Sequence, residues 1–438
     1  MSWPVTTERL DDGRIAVGGI PLSALASEFG TPLYVFDEAT IRQRARMYRE
    51  TFRAAWPDSR IVYAAKAYIA PAIGQILHEE GIGLDVVSGG ELYAGLRAGI
   101  PAAEMTFHGN NKLKAELREA LQAGIGAIAL DNDHEIELLT ALAAEGFGPI
   151  PVVIRLNPGL SPSTHHKMRT GALDSKFGFP IETGAARVAA DAVAAAGVFD
   201  LLGYHAHVGS QIFDPELVGQ TIAALLDFAA EVRDRHGIAP RVIIPGGGFG
   251  VRADASGQDV SVARWAETAA AALAAGCDRH GFARPGLVVE PGRGIVGPAG
   301  VAVYEVGARK EIPGVRTYIS VDGGMADNIR PSLYGARYSA ALASRAEGGP
   351  RETVAISGRY CESGDLLIEE IDLPRLLPGD LLALPMSGAY CLAMASNYTL
   401  APRPAAVMIR DGEARLFRRR ETYEDMLSTE LQPSTANR

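Results

Sequence analysis

Cysteine is nearly absent: Cys277, Cys361 and Cys391 are three residues in 438, with no Cys-x-x-Cys spacing. So sparse and odd a set offers neither a disulfide framework nor a zinc ligand set, and it suits a reducing compartment such as the cytoplasm. An excess of positive charge is also missing. The formal net charge of −10 argues against a nucleic-acid footprint, which needs clustered Lys and Arg opposite phosphates. A local basic pocket for a small anion is still compatible with it. Long apolar runs are lacking too, since the longest are alanine-rich and broken by charge, as in Thr221-Ile-Ala-Ala-Leu-Leu-Asp227; no membrane span is expected. The start, Met1-Ser2-Trp3-Pro4-Val5, has no basic region followed by an apolar core, so no signal peptide is visible. No internal repeat or long low-complexity segment occurs, and Ser434-Thr-Ala-Asn-Arg438 is expected to fray.

What is present is the composition of a globular protein, 47 % apolar and 21 % charged. The chain is too long for one ordinary core, so two domains are expected. Residues 1–35 are turn-rich, with Asp11-Asp12-Gly13 and Gly18-Gly19 as turns and Leu33-Tyr34-Val35-Phe36 as a strand. Asp37-Glu38-Ala39-Thr40 then opens an Arg-rich helix to about Ala55. Strands are predicted near 61–66, 82–86, 105–108, 126–130, 151–156, 200–206, 241–245 and 286–290. Helical patterns lie between them, at 71–80, 89–99, 113–123, 133–145, 184–197, 216–236 and 260–280. Alternation of this kind over roughly 260 residues predicts an α/β fold, a (β/α)8 TIM-like barrel over 36–299. A doubly wound open sheet needs no eighth strand. After Gly300 helical periodicity is scarce until a short tail helix, and turns such as Pro378-Gly379-Asp380 punctuate strand-like pieces. Residues 300–438, joined by 1–35, therefore read as a β-rich second domain of the β-sandwich or Greek-key barrel kind.

Barrels of this type carry their chemistry at the C-terminal ends of the strands. The first predicted strand ends on Lys66, the second on Asp85, the third on His108-Gly-Asn-Asn111, the fifth on Arg155 and Asn157. The sixth ends in His205-Ala-His207-Val-Gly-Ser210, the seventh in Gly246-Gly-Gly-Phe-Gly250, the eighth in Glu290-Pro-Gly-Arg293. A lone lysine at a strand end more often snorkels to water. Held between low-dielectric walls, it is instead a neutral, imine-forming amine. Gly246, Gly247 and Gly248 let backbone N–H groups approach a phosphate closely, with Ser210 adding a hydroxyl. Glu290 follows a very apolar strand and needs a cationic partner, for which a protonated ring nitrogen would serve. His207 is a core histidine or a flat partner for a ring. Together an imine lysine, a phosphate site, a carboxylate for a pyridinium and a flat side chain describe pyridoxal 5'-phosphate. The pairs His165-His166 and His205-x-His207 lack carboxylate or cysteine companions at metal-ligand spacing, so no metal is expected. The second domain adds Asp322-Gly-Gly-Met-Ala-Asp-Asn-Ile-Arg330-Pro-Ser-Leu-Tyr334, Cys361-Glu362-Ser363-Gly364-Asp365 and Ser387-Gly-Ala-Tyr390. Flanked by acids, Cys361 reads as a proton-donating thiol rather than a buried hydrophobe.

Tyr63-Ala-Ala-Lys66-Ala, Arg155-Leu-Asn-Pro-Gly159, Ser175-Lys-Phe-Gly178, His207-Val-Gly-Ser-Gln211, Gly246-Gly-Gly-Phe-Gly250, Glu290-Pro-Gly-Arg293, Cys361-Glu-Ser-Gly-Asp365 and Gly388-Ala-Tyr390 resemble, in order, the diaminopimelate decarboxylases. These are fold-type III, alanine-racemase-like pyridoxal-phosphate enzymes. The resemblance implies decarboxylation of meso-2,6-diaminopimelate to L-lysine and CO2, in a homodimer with shared active sites. It implies Lys66 as the internal aldimine, His207 stacked on the ring and Glu290 on the ring nitrogen. Ser210, Gly246 to Gly248 and Tyr390 would lie at the phosphate, with Asp85 and Arg293 also in the cofactor site. Arg293, Arg330, Tyr334 and Tyr390 would bind substrate, two guanidinium forks suiting a distal carboxylate. Cys361 and Glu362 would come from the neighbouring subunit. Thr399 stands where the family usually has asparagine, and Ala401 near an often basic position. The alternatives are a related decarboxylase of another basic or carrier-linked amino acid, or a non-catalytic pyridoxal-phosphate-binding protein.

Overall fold

The computed structural model describes residues 3–160, 174–252 and 260–431. His165-His166 and Ser434–Arg438 lie outside them. The chain divides into two compact units, one holding the residues up to Thr40 and from Gly297 onward, the other Ile41–Arg252 and the residues up to Val296.

In the second of these units eight strands follow one another: β1 Ser59–Ala64, β2 Gly83–Val86, β3 Met105–Phe107, β4 Ala127–Leu130, β5 Ile150–Asn157, β6 Phe199–His205, β7 Val242–Ile244 and β8 Gly286–Val289. Each pairs in parallel with the next, and β8 pairs with β1 through Val289 and Ile61, so the sheet closes. The (β/α)8 barrel is thus the observed fold. Helix α1, Glu38–Ala55, leads into β1, and α2 Pro71–Glu79, α3 Gly89–Arg97, α4 Lys114–Ala123, α5 Asp133–Ala144, α6 Ala185–Ala196, α7 Glu216–His236 and α8 Val262–His280 connect the strands. Val62, Ala129, Val153, Val242, Ile244 and Val288 meet in one buried cluster. Small β-branched side chains fill so narrow an interior, and burying each valine contributes roughly 1.5–3 kcal/mol. The helix starts are specified locally. Ser88, Asn132 and Ser261 each accept the backbone N–H three residues on, which satisfies a donor the helix itself leaves open.

The other unit is built on a nine-stranded sheet plus a three-stranded one. Strand Leu33–Asp37 lies between Gly300–Ile312 and Ala405–Arg410, antiparallel to the first and parallel to the second. The N-terminal segment thereby becomes part of the sheet made by the C-terminal third. Leu33, Val35, Val301, Val303, Val407 and Ile409 bury one face of these three strands, and Tyr34, Phe36, Ala302, Tyr304, Ala406 and Met408 are buried on the other, so the strands read as near-continuous apolar runs. The short tail helix is Tyr423–Leu427.

Candidate active site

Strand β1 stops at Ala64, and Lys66 falls on the 3-10 turn Ala65–Ala67 rather than on the strand end. Its side chain keeps 41 % exposure, and Asp85 Oδ2 lies 4.0 Å from Nζ. The expectation of low-dielectric walls around the amine is therefore corrected. The turn carries Lys66 past the apolar end of β1, so its ammonium meets solvent and a carboxylate.

Asp85, at the end of β2, begins a buried array of ionisable groups. His108 Nε2, just past β3, is 3.8 Å from Asp85 Oδ1 and 3.2 Å from Glu290 Oε1. On the other side, His205 Nε2 forms a 3.2 Å hydrogen bond with Glu290 Oε2. His108 is equally near but off the line of a good hydrogen bond, so Oε1 is without one among the described residues. Burial pushes the Asp85 carboxyl up, against the pull of His108 and Lys66. Burial acts on Glu290 in the same sense, but His205 and His108 outweigh it and hold that carboxyl well below the usual range. His205 is driven down to about 4 by burial, against the pull of Glu290. Two imidazoles, brought from strands far apart in sequence, thus flank the Glu290 carboxylate.

The loops after β6 and β7 are knitted together. Ile212 N–H donates to Gly248 O at 2.9 Å, and the Gln211 side chain bonds both the N–H and the carbonyl of Val251. Ser210 and the glycine run therefore share one neighbourhood. The glycines have a steric reason independent of any ligand. A Cβ at Gly247 would sit 1.9 Å from Glu290 O, and one at Gly248 2.2 Å from Gly209 O. Gly246 and Gly248 also take φ of +83° and +91°, a region that side chains disfavour. Phe249, the next residue, is wedged against Trp265, with ring centroids 4.2 Å apart, and against Tyr48, which fixes the loop from below. His207 Nδ1 lies 3.4 Å from Gly247 N–H. Its imidazole is held well below its usual pKa by burial and then by the charges of Lys66 and Arg155. Such a ring is neutral at pH 7 and suited to stacking rather than ion pairing. Arg293 opens the short helix Arg293–Val296 immediately after Glu290-Pro-Gly.

Three residues of this barrel end are not among the predicted site residues. Asp131, just beyond β4, supplies the one strand end that had looked empty; it is buried, accepts Gly178 N–H at 3.0 Å and pairs with Arg155 at 3.3 Å. The signal was visible, since Asp131 follows the apolar run Ala127–Leu130 directly. Lys112 and Glu135 form a fully buried pair at 2.8 Å. Lys112 Nζ also donates to Gly109 O and Ala129 O at 2.8 and 2.6 Å, tying the ends of β3 and β4 under His108.

In the β-rich unit, the segment carrying Arg330 and Tyr334 is held by two buried aspartates. Asp327 accepts Gly324 N–H at 2.8 Å and the hydroxyls of Tyr34 and Tyr304 at 2.9 and 2.5 Å. Asp365 accepts Met325 N–H at 2.6 Å and Tyr360 N–H at 2.8 Å, which joins this segment to the loop of Cys361 and Glu362. Both of the latter are exposed, in keeping with a thiol outside any apolar slot. Arg330 and Tyr334 sit one turn apart on the helix Arg330–Tyr334 and so share a face. Arg330 is buried, with Nη1 on the Tyr338 hydroxyl, and among the described residues no carboxylate pairs with it. Tyr390 takes a left-handed φ of +59° beside the buried Cys391, whose Sγ lies 3.5 Å from Tyr338 Oη.

Comparison with known proteins agrees with this chemistry. Residues 38–297 match the family described as pyridoxal-dependent decarboxylase, pyridoxal binding domain. The chain is 45 % identical over 429 residues to the diaminopimelate decarboxylase of Bacillus subtilis (strain 168), covering 97 % of each. It is also similar to the solved diaminopimelate decarboxylase from M. jannaschii in co-complex with L-lysine, with TM-score 0.89, 32 % identity and 98 % of both chains covered. The lysine/ornithine decarboxylase from Vibrio vulnificus complexed with cadaverine is more distant, with TM-score 0.76 and 25 % identity over 89 % of this chain and 97 % of that one.

Proposed function

This chain belongs to the diaminopimelate decarboxylases, and from that premise we propose which of its residues carry out the reaction. It is a pyridoxal-phosphate-dependent carboxy-lyase that converts meso-2,6-diaminopimelate to L-lysine and CO2. Bound pyridoxal phosphate supplies an aldehyde for the substrate amine and a protonated ring that takes up the electron pair left when CO2 departs.

The residues present suit that group: an amine beside a carboxylate, a buried carboxylate kept ionised, and a backbone loop with no room for Cβ atoms. In our assignment Lys66 binds the aldehyde and Asp85 balances its charge. Glu290 holds the proton on the ring nitrogen, and His207 stacks on the ring. Ser210, Gly246, Gly247, Gly248 and Tyr390 bind the phosphate, with Arg293 beside them. Arg293, Arg330 and Tyr334 grip the distal amino-acid end of the substrate, and Glu362 binds its amine. Cys361 or Lys66 returns a proton to the carbon that has lost CO2. The enzyme acts as a cytoplasmic homodimer, each subunit lending Cys361 and Glu362 to the other. Of the supporting observations, the convergence of Lys66, Asp85 and Glu290 through His108 carries most weight, because four strand ends meet in it.

The test is incubation with pyridoxal phosphate and meso-2,6-diaminopimelate, assaying lysine and CO2, beside a panel of lysine, ornithine and arginine. Glu290→Ala should still load with excess cofactor, at lower affinity, and lose nearly all turnover. Full activity in that variant would remove Glu290 from the mechanism.

A further inference from the structure

Glu290 poses a problem that the assignment above leaves open. A carboxylate buried to this degree loses several kcal/mol of hydration unless donors replace the water. A lysine or arginine beside it would restore that loss, but would also cancel its charge. Glu290 would then have nothing to offer a second cation. The structure shows another solution. Each carboxylate oxygen faces one imidazole Nε2 at 3.2 Å, His108 on Oε1 and His205 on Oε2. The two rings come from β3 and β6, stand 4.7 Å apart between centroids and are tilted by 60°. Both are buried, so neither is shared with solvent.

We propose that His108 and His205 are positioning residues that solvate Glu290 in place of a lysine or arginine, His205 through its Nε2 hydrogen bond and His108 through the dipole of an imidazole 3.2 Å from Oε1, so that Glu290 keeps its charge for the ring nitrogen of the cofactor. The proposal rests on the assignment of Glu290 made above. Burial keeps His205 uncharged at neutral pH, pushing it down to about 4, so its hydrogen bond does not cancel the charge of Glu290. The other ionisable groups around it are Asp85 on β2, 3.8 Å from His108, the longer-range charges of Lys66 and Arg155, and the neutral ring of His207. Sequence spacing hid the arrangement, because the three partners stand at positions 108, 205 and 290. Among the described residues these are also the grouping whose ligand atoms, all within 4.8 Å, have the size of a cation site. Their close mutual contacts show how they can serve one another instead.

The experiment uses the full-length protein with His108→Leu, His205→Leu and the corresponding glutamines, which keep an N–H donor near the Nε2 position. Three readouts are taken: pyridoxal-phosphate affinity by titration of the apoprotein, the pH dependence of the holoenzyme's visible absorption, and kcat against KM. The leucine variants should bind the cofactor about tenfold more weakly or worse, shift the spectral pH profile by about one unit, and lose kcat with KM little changed. The glutamine variants should recover most of each loss. Leucine variants equal to wild type, or glutamine variants as impaired as leucine ones, would overturn the proposal. So would a divalent cation, found by metal analysis of wild type and lost from the leucine variants. If wild type converts meso-2,6-diaminopimelate and only the histidine variants behave like it, the proposal fails alone; if Glu290→Ala is fully active, the underlying assignment fails.

Discussion

Arg330 offers a prediction in which stability and activity move in opposite directions. The residue is 6 % exposed, its Nη1 meets the Tyr338 phenol, and its Nε has no acceptor among the described residues. The Tyr338 ring lies 5.5 Å below it and returns roughly 1–2 kcal/mol. A buried charge without a counter-ion still costs several kcal/mol in the free protein. That cost is recovered when a substrate carboxylate arrives and takes two charge-assisted hydrogen bonds of about 1.5–3 kcal/mol each. Arg330→Met keeps the volume and removes the charge. The free protein should be unchanged or more stable by about 1–2 kcal/mol, after allowing about 1 kcal/mol for the lost Tyr338 contact. The same change should lower kcat/KM by about 3–5 kcal/mol, or two to four powers of ten, mostly through KM because the distal carboxylate is remote from the bond that breaks. Arg330→Lys should not rescue it, since a point charge cannot replace a fork. Urea unfolding of the apoprotein and steady-state lysine formation measure the two halves. A loss of more than about 1 kcal/mol of stability in the methionine variant would make Arg330 a structural cation, and an unchanged KM would remove it from the substrate site.

Three other perturbations follow from buried charge and backbone strain. Lys112→Met leaves Glu135 buried without its cation and two carbonyls without a donor; it should cost about 3–5 kcal/mol in urea unfolding, and adding Glu135→Leu should recover part of that. Burial raises Asp327 from the usual aspartate value of 3.8 to about 6, so the folded protein binds its proton more tightly than the unfolded chain does. Its contribution is therefore most favourable below pH 4 and is lost as the pH rises toward 6. Asp327→Asn, free of that titration, should gain about 2 kcal/mol relative to wild type between pH 4 and pH 7.5; parallel pH profiles would contradict the shift. Thr399 takes φ +56° and ψ +26°, a left-handed conformation that costs a β-branched residue about 1–2 kcal/mol and that asparagine tolerates. Thr399→Asn should raise stability by about 1 kcal/mol without altering the substrate preference; a lower urea midpoint would refute it.

Thr399 shows how tertiary structure can explain a departure from the family pattern. It stands where the family usually has asparagine, and its left-handed backbone gives that position a local, conformational meaning. The glycine run is similar. As letters, Gly246-Gly-Gly248 signalled a phosphate loop; in the fold, the carbonyls of Glu290 and Gly209 leave no space for side chains there. The two readings are compatible, because a loop that must pack backbone against backbone also exposes its amides closely.

The sequence by itself determined the barrel and most of its strand ends. Short apolar runs alternating with helical patterns are local signals, and a chain of eight such pairs has few ways to close. It also determined the positions of Lys66, Asp85, His207 and Glu290, since each directly or nearly follows an apolar run. Only the tertiary structure decided what those residues face. Lys66 turned out to stand on a turn beside Asp85 rather than between apolar walls, and Glu290 to rest between His108 and His205. Such contacts join residues many positions apart across a closed sheet, where register, not spacing along the chain, brings side chains together. The charge state of a buried group depends on those neighbours, so the electrostatics of this site belong to the fold.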